Sequence, residues 1–186
     1  MRRKTTICYA SFPDKRQRYQ AQTLPVILAE ASEPLTVAAR EFLARALGNG
    51  AVVDRLRSLH DTVRAARYID ERDASGDLSN CDHVRGIHET VTQGGDCEDW
   101  AAVLLRGCKL IGVPAYAVTS GEHHDPFMHV SVAAIVGNQL YLLDPKGDQQ
   151  GAPFNVRSER YPVRRFWTQG YAGKAHEVFM GVPLAI

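Results

Sequence analysis

The stretch Gly94-Gly95-Asp96-Cys97-Glu98-Asp99-Trp100 constrains this chain more than any other, because it sets where a buried helix begins. From Trp100 on, apolar or small residues fall at Trp100, Val103, Leu104, Gly107, Cys108 and Ile111. That is the spacing of a helix with one buried stripe. Asp96 then reads as the N-cap and Asp99 as the acidic member of a capping box, which makes Cys97 the first helical residue. Cys97 shares a row with Ala101, Leu104 and Cys108, so its sulfur borders the buried stripe. A thiol there faces the positive end of the helix dipole and N–H groups that have no partner inside the helix. Both favour thiolate, and both can receive an oxyanion. Asp96, Glu98 and Asp99 act in the opposite sense, placing carboxylates beside the sulfur. A working thiol here needs a partner cation. Without one, Cys97 is a packing residue, as buried cysteines often are. The glycine pair lets another backbone or a substrate come close.

At 186 residues the chain reads as a single domain, 1–186, large enough for a real core. Its 22 Lys and Arg against 21 Asp and Glu leave a formal charge of +1, which gives no reason to expect nucleic acid or an anionic membrane as partner. No apolar run approaches the ~20 residues of a membrane span. The basic start, Met1 to Ile7, has no apolar region after it, so no secretion signal is expected. Cys8, Cys81, Cys97 and Cys108 lie far apart with no CxxC, which fits a reducing compartment and a cytoplasmic site of synthesis. Cys81, His83 and His88, taken with His123 and His124, lack the paired close spacings of a structural zinc site.

Along the chain, Thr5 to Ser11 reads as a strand ended by the turn Phe12-Pro13-Asp14-Lys15, and Gln20 to Ala31 is ambiguous. A helix is expected from Ser32-Glu33-Pro34, broken by Gly48-Asn49-Gly50, and a second from about Ala51 to Ile69 with its arginines outward. Asp70 to Gln93 reads as an irregular loop. Strands are expected at Ala115–Thr119, His129–Val136 and Gln139–Asp144. The segment from Lys146 is expected to pack over the sheet edge, with a closing strand near His176–Met180.

Gly137-Asn138 is a two-residue hairpin loop of a favoured kind, and it dictates a register. Val136 then opposes Gln139, Ala133 opposes Leu142 and Ser131 opposes Asp144. His129 and Asp144 become diagonal neighbours on one face, roughly 7–8 Å apart at Cα, within reach of two polar side chains. A thiol nucleophile needs a base beside it and a third group to orient the base. If the Cys97 helix docks on the face bearing His129, Ser131 and Ala133, then Cys97, His129 and Asp144 meet. His129 as imidazolium would supply the missing cation.

These residues also resemble a known family. Gly95-Asp96-Cys97-Glu98-Asp99-Trp100-Ala101, Gly112-Val113-Pro114-Ala115, His129-Val130 and Leu143-Asp144-Pro145 resemble, in that order, the GDCxDxA, G-[IV]-P-A, H-x-x-V and L-D-P blocks of the transglutaminase-like superfamily. The resemblance covers about 35–145 as core, leaving an N-terminal extension, 1–34, and a C-terminal extension, 146–186. It implies an α+β papain-like fold with helices on an antiparallel sheet, Cys97 as nucleophile, His129 as base and Asp144 as orienter. The Gly-Asp-Cys-Glu-Asp form is similar to bacterial transglutaminase-like cysteine proteinases, some of which bind calcium. That extends to calcium at Asp96, Glu98 and Asp99, with no cofactor required, although these residues also complement the helix dipole. Tyr161-Pro162-Val163-Arg164-Arg165-Phe166-Trp167 is similar to a stretch in proteins of tailed-phage structural genes. Where those relatives carry a proline after a V-R-x step, this chain has Val84-Arg85-Gly86-Ile87.

Two functions follow as expectations. The first is a cysteine peptidase, amide hydrolase or acyltransferase working through a thioester on a peptide or protein substrate, with Cys97 N–H and the Gln93 side chain holding the oxyanion. The second is a phage virion or assembly protein that keeps the fold without turnover, with other phage structural proteins as partners and incorporation in the particle.

Overall fold

The structure, a computed structural model, describes residues 5–8, 22–69, 81–121, 129–145, 153–156, 163–169 and 174–178. The expected turn at 12–15, His123 and His124, the motif residues Tyr161 and Pro162, and the far ends of the first and last expected strands lie outside these residues. Among the described residues, five helices lie against a five-stranded antiparallel sheet, an α+β arrangement. The helices are α1 (Leu24–Glu30), α2 (Val37–Leu47), α3 (Val52–Ala65), α4 (Ile87–Gln93) and α5 (Cys97–Leu110). Strands β1 (Thr5–Cys8) and β2 (Cys81–Val84) form a separate antiparallel pair. The main sheet holds β3 (Ala115–Gly121), β4 (His129–Val136), β5 (Gln139–Leu143), β6 (Val163–Gln169) and β7 (Ala175–Val178) in the order β5-β4-β3-β6-β7.

Local chemistry accounts for most boundaries. Thr36 caps α2, its hydroxyl accepting from Ala39 N at 3.3 Å, so the helix starts at Val37 rather than at Ser32-Glu33-Pro34. The next helix, α3, stops at Ala65, short of the expected Ile69. Residues 67–69 are recruited instead as an extended partner of the glycine pair, with Ile69 N donating to Gly95 O and Gly95 N to Arg67 O. The polar stretch before Gly94, read as a loop, contains both β2 and α4.

The core forms between the helices and one face of the sheet. Trp100, Ala101, Leu104 and Cys108 of α5 pack with Val130, Val132 and Ala134 of β4, and with Leu143, Ala117 and Trp167. This corrects the expected docking face. The helix covers the residues that alternate with His129, Ser131 and Ala133, while Ala133 joins Val118 and Leu140 in a second cluster. The reason is burial: the Val-Val-Ala row offers the helix stripe an unbroken apolar surface, and Ser131 interrupts the other row. Strand β6 also departs from expectation, lying inside the sheet between β3 and β7 rather than over its edge. Trp167 anchors it, fully buried and donating from Nε1 to Thr119 Oγ1 at 2.9 Å. Leu24, Ile27 and Leu28 of α1 belong to the same buried core as Trp167. Among the described residues no helix is long and apolar enough to cross a membrane.

Two stability tests follow. A Cβ at Gly107 of α5 would lie 2.5 Å from Cδ2 of Leu59, itself fully buried on α3. Alanine gains about 1 kcal/mol of helix propensity, but overpacking costs about 1–3 kcal/mol. Gly107→Ala should therefore lower stability in urea unfolding, and Leu59→Ala should relieve that specific penalty in a double-mutant cycle.

His60 of α3 is fully buried, with Nδ1 bonded to Asp61 Oδ1 at 3.0 Å. Burial lowers its pKa below the ordinary 6.5, outweighing the attraction of Asp61 and Asp144 and acting with the repulsion of Arg64. Its contribution to stability is complete above pH 6.5 and is lost as acid protonates the unfolded chain first. The urea midpoint should fall on acidification through that range, and His60→Leu should flatten the dependence. Equal slopes in the two proteins would refute this.

Candidate active site

The mouth of α5 is built as its sequence demands. Asp96 is the N-cap, Cys97 the first helical residue, and the capping box closes both ways: Asp99 N donates to Asp96 Oδ1, and Asp96 N to Asp99 Oδ2. The glycine pair allows a close approach. Gly94 adopts φ +102°, and a Cβ on it would sit 2.8 Å from Arg67 O, while a Cβ on Gly95 would strike Asp99 at 2.5 Å. Trp100 Nε1 closes the corner by donating to Gly95 O at 3.1 Å.

Asp99 also receives Arg85. The backbone N of Arg85 donates to Oδ1 at 2.6 Å and its Nη1 to Oδ2 at 2.7 Å, with both residues buried. Burial raises the Asp99 pKa and the Arg85 bonds pull it back. The pair joins the end of β2 to the helix mouth, and it fills the Val84-Arg85-Gly86-Ile87 step. Sequence reasoning missed this role because the partners lie 14 positions apart, with no local pattern linking them.

His129 and Asp144 meet. His129 Nε2 donates to Asp144 Oδ1 at 2.6 Å, and both are nearly inaccessible, at 8% and 3% exposure. The hairpin places them so, with Val136 opposite Gln139 and Ala133 opposite Leu142. The Cys97 sulfur, half-buried, reaches the same strand end, where the backbone N–H of Val130, the residue after His129, bonds to it. The helix therefore delivers its sulfur to the end of β4 while packing on the alternate face.

The charge state differs from the expected resting thiolate. The Sγ–H donates to Glu98 Oε2 at 2.8 Å. The Cys97 pKa is raised well above its ordinary value, by burial first, then by the charges of Glu98 and Asp96 and the Glu98 bond, against the Val130 N–H. A helix dipole is worth about 0.3–1 kcal/mol, whereas a tenfold change in acidity takes about 1.4 kcal/mol. Burial and two carboxylates win. The resting sulfur is a thiol.

Gln93 ends α4, exposed, in the wall of a groove shared with Arg67, Ile69, Thr90 and Trp100, a wall to which neither Cys97 nor His129 belongs. Asp96, Glu98 and Asp99 do not fit a calcium ion. The Asp99 oxygens are committed to Arg85 and Asp96, Asp96 Oδ1 to Asp99 N, and Glu98 Oε2 to the thiol. Among the described residues no three His, Cys, Asp or Glu side chains gather as a metal site. His88 Nδ1 is 3.1 Å from Thr36 Oγ1.

Removing the Glu98 charge should free the thiol. Glu98→Gln eliminates a carboxylate that favours S–H, so the Cys97 pKa falls and its alkylation by iodoacetamide at neutral pH should rise about tenfold or more. The pH profile of alkylation, followed by mass spectrometry, should move to lower pH. An unmoved profile would contradict the assignment.

No family model and no curated protein matches the chain. Similar solved structures include a TGase, 14% identical with a TM-score of 0.44, the match covering 82% of this chain and 38% of that one. Another is a protein from Cytophaga hutchinsonii described as a candidate cysteine protease, 16% identical with a TM-score of 0.44, the match covering 89% of this chain and 60% of that one. The chain therefore spans less than two thirds of the length of either.

Proposed function

We propose that this protein is a thiol-dependent acyl-transfer enzyme that cleaves an amide, most simply a peptide bond. The reading rests on the 2.6 Å His129–Asp144 hydrogen bond at the strand end that also receives the Cys97 sulfur. Asp144 binds Nε2 and so fixes the tautomer, assigning Nδ1 to the thiol proton. Sγ attacks the substrate carbonyl as its proton passes to Nδ1. The first-turn N–H groups, Cys97 N–H foremost, would stabilise the developing oxyanion. Collapse forms a thioester and expels the amine, which takes the proton back from His129. Water or an amine acceptor, deprotonated by the same nitrogen, then releases the acyl group and restores the thiol.

Because the resting sulfur is a thiol, proton removal belongs to the chemical step, and the rate depends on how well the imidazole is held. Incubation with a panel of peptide amides should produce a covalent adduct on Cys97, detectable by mass spectrometry and released by neutral hydroxylamine as a thioester is. Cys97→Ala and His129→Ala should abolish it. Asp144→Asn should slow its formation by ~100-fold or more while leaving the fold intact. A chain that forms no adduct, with Cys97 as reactive in His129→Ala as in the wild type, would overturn the proposal.

A further inference from the structure

Strand β5 carries Asp144 just beyond its end and lies at the margin of the sheet, with β4 on one side. On the other side stands Asn155. Its Oδ1 accepts from Leu142 N at 3.0 Å, and its own backbone N donates to Leu142 O at 3.0 Å. One residue thus takes both outward-facing polar groups of the Leu142 peptide positions, two residues before Asp144. To do so it holds φ at +62°, the only positive φ at a non-glycine among the described residues. Asparagine tolerates that conformation better than most side chains do.

The neighbouring Phe154 ties the same turn to the helical layer. Its ring stacks on Tyr141 of β5 at 6.0 Å between centroids and meets the buried His60 edge-on at 5.7 Å, with the Arg57 guanidinium 5.2 Å from its centre. The turn is therefore gripped from β5 and from α3 together. A left-handed non-glycine residue clamping the peptide just ahead of a buried acid exceeds what covering a strand edge requires, since a charged or proline residue would blunt the edge as well.

We propose that Asn155 is a positioning residue for the acid–base pair: by clamping Leu142 it sets where Asp144 leaves β5 and so holds the His129 ring. This rests on the reading of Cys97, His129 and Asp144 given above. Asn155 touches neither substrate nor sulfur in this scheme and acts through Asp144.

The test uses Asn155→Gly, which keeps the backbone conformation and N–H but removes the side-chain acceptor. Asn155→Ser, too short to reach Leu142 N, stands beside it should the glycine variant not fold. Asn155→Asp, which restores the acceptor, is the conservative rescue. The ring nitrogen shifts of His129 by NMR should report a single Nε2–H tautomer in the wild type and in Asn155→Asp, and a tautomer mixture in the glycine and serine variants. Alkylation of Cys97 by iodoacetamide across the neutral range should fall by up to ~100-fold in those two, with an altered pH profile, and recover in Asn155→Asp. His129→Ala in the same assay separates the two ideas. If it leaves Cys97 reactivity unchanged, the acid–base reading fails. If it lowers reactivity while folded glycine and serine variants keep wild-type ring shifts and rates, the Asn155 inference alone is overturned.

Discussion

The buried carboxylate of Asp99 is the constraint on which the Cys97 end of α5 depends. It accepts from Arg85 N, Arg85 Nη1 and Asp96 N, and so joins the end of β2, the glycine pair and the first turn of α5 at one point. A buried charge is tolerable only when paired and bonded, and removing one partner of such a pair costs about 3–5 kcal/mol. That cost locks the helix mouth into one geometry. Gly95 cannot be a larger residue because the carboxylate occupies the space of its Cβ. The position of Cys97 is thus an outcome of how Asp99 is satisfied, and of Trp100 sealing the same corner through Gly95 O.

A conflict of electrostatic influences shapes the chemistry next door. The acidic first turn suits the helix dipole and completes the cap, which favours folding. The same acidity, with burial, opposes a thiolate at Cys97. The residues that make the helix start reliable therefore make its cysteine a poor nucleophile at rest. In the reaction proposed above, the His129–Asp144 pair would have to act during the chemical step, drawing the proton away as the sulfur attacks. The docking of α5 fits that division. The helix packs on the Val130, Val132 and Ala134 row and brings its sulfur to Val130 at the end of β4 rather than to the middle of a face.

Much of this was legible in the sequence wherever one local rule decides the outcome. A two-residue loop fixes hairpin register, and so His129 and Asp144 could be paired before any coordinates. A cap and a helical period fix the start of α5, and so Cys97 could be placed at its mouth. Failures occur where a distant partner decides. Residues 67–69 leave the helical pattern because Gly95 offers them backbone bonds. Helix α4 buries little beyond Ile87 and Thr90, so its sequence carries no stripe to read. Strand β6 contains two arginines yet sits inside the sheet, because Trp167 and its bond to Thr119 outweigh the alternation. The docking face of α5 depended on comparing two rows of one strand, a choice that the helix period leaves open.

The two halves of the site consequently have different origins and meet along a narrow seam. The sulfur belongs to the Asp99–Arg85 assembly, while the imidazole and its acid belong to the hairpin and the turn clamped on β5. Between them lie the packing of α5 on β4 and the Val130 N–H bonded to the sulfur. Close-packed interiors transmit displacement rather than absorb it. A change in volume at Ala101 or Leu104 would therefore slide the helix along the strand and alter the distance from sulfur to imidazole while leaving both hydrogen-bonded halves intact. Both residues are essentially inaccessible, so in the proposed reaction the apolar seam, and not the polar groups alone, would decide whether the three side chains act as one unit.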